Sequence, residues 1–138
     1  MQEIQTTSST DTKKIGFDFA QTLKGGDVVA LHGDLGSGKT TFVQGLAEGL
    51  GITKKIISPT FIIMRTYDLG EKNFYHVDLY RIENEKDVEG LGLIEIMNSK
   101  ESIVVIEWPE KIENILPETK KDLFFTYIDD ATRKIIIE

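Results

Sequence analysis

The segment Gly33-Asp34-Leu35-Gly36-Ser37-Gly38-Lys39-Thr40 constrains this chain more than any other. It begins at the end of "DVVALHG", which reads as a short buried strand. It opens "KTTFVQGLAEGLG", where Phe42, Leu46 and Leu50 share one helical face and Gly51 supplies a C-terminal cap. All fixed positions of G-x-x-x-x-G-K-[ST] are matched, in the strand–loop–helix context the pattern requires. Glycines let a backbone approach phosphate oxygens closely, and the helix start adds aligned N–H donors. Gly33, Asp34, Leu35, Gly36, Ser37 and Gly38 therefore read as a triphosphate cradle. Lys39 is placed to reach the β- and γ-phosphates, Thr40 to ligate Mg²⁺ and Thr41 to contact the α-phosphate.

The rest of the chain alternates in the same way. "STDTKKIGFDFAQTLKGG" reads as a helix with a cap among Ser9, Thr10 and Asp11, an apolar stripe of Ile15, Phe19 and Leu23, and a stop at Gly25-Gly26. "SPTFIIMRTYDL" and "KNFYHVDLYR" form a hairpin around Gly70. "ENEKDVEGLGLIEIMNSK" gives one or two short helices broken at Gly90 and Gly92. "SIVVIEW" is a buried strand, and "PEKIENILP" a short helix with proline at its first position. "DLFFTYI" and "RKIIIE" pair around "DDAT". The expected fold is a single α/β domain over residues 1–138. It is a P-loop NTPase-like three-layer arrangement with a mixed, mainly parallel central sheet and added β-hairpins.

Charge bounds the partners. With net charge −7 the chain lacks the basic balance of a protein that grips many phosphates alone. Any nucleic acid in its biology is expected to be reached through a partner. The chain has no cysteine, hence no thiolate metal site, and no apolar run near membrane-spanning length. The first residues carry no apolar signal-peptide core, and a cytoplasmic location is expected.

A second carboxylate on the metal side is expected from the strand "IVVIE", which ends at Glu107. This glutamate can bind the metal or orient the attacking water. In "SPTF", Thr60 follows a stiffening proline, and it reads equally as a switch-loop threonine or as a turn residue starting a strand. In "HVDLYR", His76, Asp78 and Tyr80 share one strand face and Val77 and Leu79 the other. Asp78 can position water or order the metal shell, whereas His76 reads as a hydrogen-bonded packing residue. Arg81 can pair with phosphate or, more commonly, with the acidic "ENEKD" that follows.

Taken in order, "GDLGSGKTTF", "SPTF", "HVDLYR" and "VVIEWPEK" resemble the TsaE (YjeE) family over nearly the whole chain. The resemblance implies a small bacterial ATPase needed for the threonylcarbamoyladenosine modification of tRNAs that read codons beginning with A. It implies action with the TsaD–TsaB pair, which carries out the transfer onto tRNA. It further implies that Lys39, Thr40 and Glu107 bind MgATP, that Thr60 and Asp78 belong to the hydrolysis site, and that Trp108 lies beside it. Adenine is implied to rest near Thr10 and Arg133.

Three rivals remain. A GTPase needs N/T-K-x-D after a strand, and "TKKD" at 119–122 precedes one instead. A small-molecule kinase needs a lid and clamping arginines, while the chain has only Arg65, Arg81 and Arg133 and no lid insertion. The third is a nucleotide-dependent assembly factor whose turnover is not essential.

Overall fold

The runs Val28–His32 (β2) and Ser102–Glu107 (β5) are almost wholly apolar, so each needs cover on both faces and neither suits an edge facing water. A computed structural model of the chain, which describes residues 1–57 and 63–138, places them side by side in the middle of a seven-stranded sheet. The spatial order is β1 (Gln2–Thr6), β7 (Arg133–Ile137), β6 (Lys121–Tyr127), β2, β5, β4 (Asn73–Asp78) and β3 (Met64–Asp68). The central strands β6, β2, β5 and β4 run parallel. The pairings β1–β7, β7–β6 and β4–β3 are antiparallel.

Two-residue alternation sorts the side chains into two cores. Val29, Leu31, Ile103, Val105 and Leu123 point to one side. They are covered by Phe19 of α1 (Ser9–Ala20) and by Phe42 and Leu46 of α2 (Lys39–Gly49). Val28, Val77, Val104 and Ile106 point to the other. There they meet Val88 of the 3₁₀ segment Glu85–Leu91, Leu93 and Met97 of α3 (Leu93–Met97), and Ile112 of the 3₁₀ segment Pro109–Ile115. The three layers and the mixed sheet expected from the sequence are present. Among the described residues no helix is long and apolar enough to cross a membrane.

Four local expectations differ. β1 was not anticipated, because "QEIQT" has no apolar run. It forms through backbone pairing with β7, which sets Ile4 opposite Ile135. The cap of α1 is Ser8, ahead of the three candidates: its hydroxyl accepts from Asp11 N at 3.0 Å, and Asp11 in turn accepts from Thr7 N. The same helix ends at Ala20, before the glycine pair. The segment after Trp108 is a kinked 3₁₀ helix, with Ile112 at φ −133°.

Candidate functional site

Parallel register carries the C-terminal ends of β2, β5 and β4 to one edge of the sheet, where Leu31 lies opposite Glu107 and Glu107 opposite Asp78. Alternation then decides the side. Ile103 and Val105 face the α1/α2 layer, so Glu107 does too; Phe74 faces it, so His76 and Asp78 follow. The loop after β2 turns over this edge and delivers the start of α2 to it. Gly36 and Gly38 take left-handed backbone, at φ 78° and 101°, which suits residues without a Cβ. Gly38 is the N-cap of α2 and offers no side-chain acceptor to the first helical amides. Ser37 is buried beside them, and its hydroxyl has no hydrogen-bond partner among the described residues. An uncapped helix start and an unsatisfied buried hydroxyl on the glycine loop fit an anionic phosphate group.

The side chains at the edge interlock. Lys39 is only 4% exposed; its ammonium donates to the Gly33 carbonyl and lies 3.8 Å from the Trp108 ring centroid. Burial pushes the Lys39 pKa below the usual lysine value, while Glu107, Glu110, Asp78 and Asp34 oppose that shift by favouring the charged form. Thr40 Oγ1 faces the Glu107 carboxylate at 3.4 and 3.5 Å, looser than the ~2.5–3.0 Å of a relaxed hydroxyl–carboxylate bond. His76 Nε2 lies 2.6 Å from Glu107 Oε2. Asp78 Oδ1 accepts from the Tyr80 amide at 3.0 Å, and the Tyr80 and Trp108 rings stand 5.1 Å apart.

Arg133 reaches in from β7. Its Nε donates to the Gly36 carbonyl at 3.1 Å, its Nη1 donates to the carbonyls of Asp129 and Thr132, and its guanidinium lies 4.6 Å from the Tyr127 ring centroid.

These groups enclose a cavity of about 380 Å³. Its walls bring together Leu35, Gly36, Gly38, Lys39, Thr40 and Thr41 with Asp78, Tyr80, Glu107, Trp108 and Arg133. Gly33, Asp34 and Ser37 shape the loop without lining the cavity; Ser37 N donates to the Asp34 carbonyl at 3.2 Å. An adjoining recess of about 80 Å³ is lined by Ser8, Ser9 and Thr12 of the α1 start, with Gly38, Thr41 and Arg133. Thr10 is exposed and lines neither space. Thr60 and its "SPTF" segment lie outside the described residues. A wider groove of about 600 Å³ runs past Lys13, Lys54 and Lys55, but no buried polar side chain and no residue of the glycine loop lines it.

Sequence reasoning placed His76 in the packing and left it out of the site. Its shared face with Asp78 was readable, but its carboxylate partner lies on another strand.

Among the described residues no three histidine or acidic side chains cluster as a metal site. Mg²⁺ asks less of a protein: it keeps several waters and takes one or two side-chain ligands beside substrate phosphates. The facing oxygens of Thr40 and Glu107 suit that pattern.

The profile of the family described as "Threonylcarbamoyl adenosine biosynthesis protein TsaE" matches residues 6–135. The chain belongs to the TsaE family. Among TsaE proteins, the "tRNA threonylcarbamoyladenosine biosynthesis protein TsaE" of Bacillus subtilis is 42% identical over 131 residues, covering 95% of this chain and 81% of that protein. The TsaE of Treponema pallidum is 38% identical over 130 residues, covering 94% of this chain and 95% of its own length. A crystal structure of Bacillus subtilis YdiB superposes with a TM-score of 0.83 at 35% identity, over 99% of this chain and 83% of that one. TsaE membership agrees with the P-loop-like α/β sheet and with the order of motifs along the chain.

Proposed function

We propose that this TsaE chain is a Mg²⁺-dependent ATPase that binds and hydrolyses ATP in support of tRNA threonylcarbamoyladenosine biosynthesis, together with the TsaD–TsaB complex. The observation that carries the reading is the convergence of Lys39, Thr40, Asp78 and Glu107 on one cavity under the glycine loop. The loop amides and the α2 N-terminus bind the phosphates, and Lys39 swings from the Trp108 face to add its charge. Thr40 and Glu107 hold Mg²⁺, which when bound neutralises charge on the phosphate oxygens. The Asp78 carboxylate, steadied by the Tyr80 amide, accepts a hydrogen bond from the attacking water. The Trp108 and Tyr80 rings wall the cavity.

Arg133 commits Nε and Nη1 to loop and hairpin carbonyls, so it is poorly placed to serve as a transition-state cation. This supports slow hydrolysis by the isolated chain and completion by a partner, where a supplied arginine-like charge can add about 10³ or more in rate. The acidic balance suits docking onto a basic tRNA-handling assembly. The same Arg133 geometry favours, as a second reading, an assembly factor that needs nucleotide but not turnover.

The test is phosphate release from ATP and from GTP, with and without TsaD–TsaB, for the native chain and Lys39→Ala. Turnover should be slow alone, rise with the partner pair and vanish in the variant, where one lost contact to the developing charge is worth about 3 kcal/mol. Near-native turnover by Lys39→Ala refutes the ATPase reading, and equal rates with GTP refute the choice of ATP. If Lys39→Ala is inactive yet sustains repeated rounds of tRNA modification, the assembly-factor reading stands instead.

A further inference from the structure

β4 carries a residue that the proposed chemistry does not use. His76 is fully buried beneath α2, and its Nε2 sits 2.6 Å from Glu107 Oε2. Its other ring nitrogen, Nδ1, has no hydrogen-bond partner among the described residues. A buried N–H without an acceptor is rarer and costlier than an unused lone pair. The ring proton therefore belongs on Nε2, where it is donated to the carboxylate, and Nδ1 stays bare. The bond removes freedom that Glu107 would otherwise have, since a glutamate at a strand end has three side-chain torsions. With Oε2 tied to His76, the carboxylate is held edge-on to Thr40 Oγ1, with Oε1 at 3.4 Å and Oε2 at 3.5 Å.

We propose that His76 is a positioning residue that orients the Glu107 carboxylate towards Thr40 and the metal, by donating one hydrogen bond from Nε2. This rests on the reading that Glu107 faces Mg²⁺. A residue that only filled space would act through its shape. A positioning residue acts through its donor, and outer-sphere partners of that kind typically change metal affinity about 10–100-fold when removed.

The experiment is calorimetric titration with ADP, with and without Mg²⁺, on the native chain, His76→Leu, His76→Gln and Glu107→Gln, and on the double variant of His76→Leu with Glu107→Gln. Thermal melting checks that each is folded. If His76→Leu does not fold, His76→Asn replaces it, because its amide is too short to reach the carboxylate. The glutamine amide of His76→Gln reaches the place of Nε2. Metal-free ADP affinity should stay within about twofold of native in His76→Leu and His76→Gln, because the phosphate cradle is untouched, and each Glu107→Gln protein is compared with its own metal-free value. The gain in affinity on adding Mg²⁺ should fall about tenfold or more in His76→Leu and largely return in His76→Gln. In the Glu107→Gln background the histidine change should cost nothing further. A full Mg²⁺ gain in His76→Leu, an equal loss in His76→Gln, or an added loss in the Glu107→Gln background each overturns the proposal. If the native chain binds ADP but gains nothing from Mg²⁺, the metal reading of Glu107 is itself refuted. If it binds no nucleotide, the ATPase reading falls.

Discussion

Replacing Gly45 by alanine should destabilise the protein, although the position lies inside α2, where alanine is favoured by about 1 kcal/mol on propensity. A Cβ at Gly45 would stand 1.9 Å from the carbonyl oxygen of Lys13 and 2.6 Å from its carbonyl carbon, both backbone atoms of α1. To reach even a 3.0 Å contact, α1 must back away by about 1.1 Å. A gap of that size forfeits about a quarter to a half of the dispersion energy of the contacts it opens. Overpacking of this kind costs about 1–3 kcal/mol, at the upper end here because backbone cannot rotate aside. After the propensity gain, the net loss is about 1–2 kcal/mol. For a chain of this length that corresponds to a fall in Tm of roughly 4–8 °C. Urea and thermal unfolding followed by circular dichroism measure it. Gly90→Ala is the control, because no atom lies within 4 Å of its added Cβ. Phe42, Val43 and Leu46 are fully buried and hold α2 to the sheet, so α1 is the element that yields. A Gly45→Ala protein that melts at or above the native temperature refutes backbone contact as the reason for this glycine.

Trp108 emission should change when MgADP binds, because phosphates that draw Lys39 away remove a cation 3.8 Å from the indole centroid; a flat signal through a titration that calorimetry shows to be saturating refutes the movement. Arg133→Ala should weaken ADP binding about fivefold. It cuts one charge-assisted tie to the Gly36 carbonyl in a partly exposed setting, worth about 1 kcal/mol; unchanged affinity by calorimetry shows that this tie does not hold the loop.

Local signals made most of the fold legible. The apolar runs of β2 and β5 demanded a buried centre, and the glycine loop with its lysine fixed where a helix must follow β2. β1 escaped because nothing in "QEIQT" marks a strand: it is stabilised by pairing with β7, and its partner lies at the far end of the chain. The cap of α1 falls one residue before the first of its three sequence candidates for a related reason. Ser8 and Ser9 offer the same hydroxyl, and only the extended backbone of Ser8, at φ −161° and ψ 165°, decides between them. In the site, the loop and Glu107 were readable because each ends an apolar strand. The contact between His76 and Glu107 was not, since it depends on β4 lying parallel to β5 in a register that sets Asp78 opposite Glu107. Sequence spacing within one strand gives the face, and only the pairing between strands gives the partner.

The backbone of Trp108 shows how the site is held open. Its φ of 61° and ψ of 49° lie in the left-handed region, which costs a residue with a Cβ about 1–2 kcal/mol. Its position immediately before Pro109 adds to the oddity, since a following proline favours extended backbone. Such a conformation persists only when its surroundings over-determine it. They do so here: β5 is buried along its whole length up to Glu107, Pro109 is buried and opens the next helical segment, and the indole is fixed between the Lys39 ammonium and the Tyr80 ring. An extended Trp108 would carry the chain straight on from β5. The left-handed turn instead folds the ring back over Lys39 while Glu107 keeps its strand geometry and faces Thr40. Strain at one residue thus lets consecutive positions in the chain serve different walls of the same cavity.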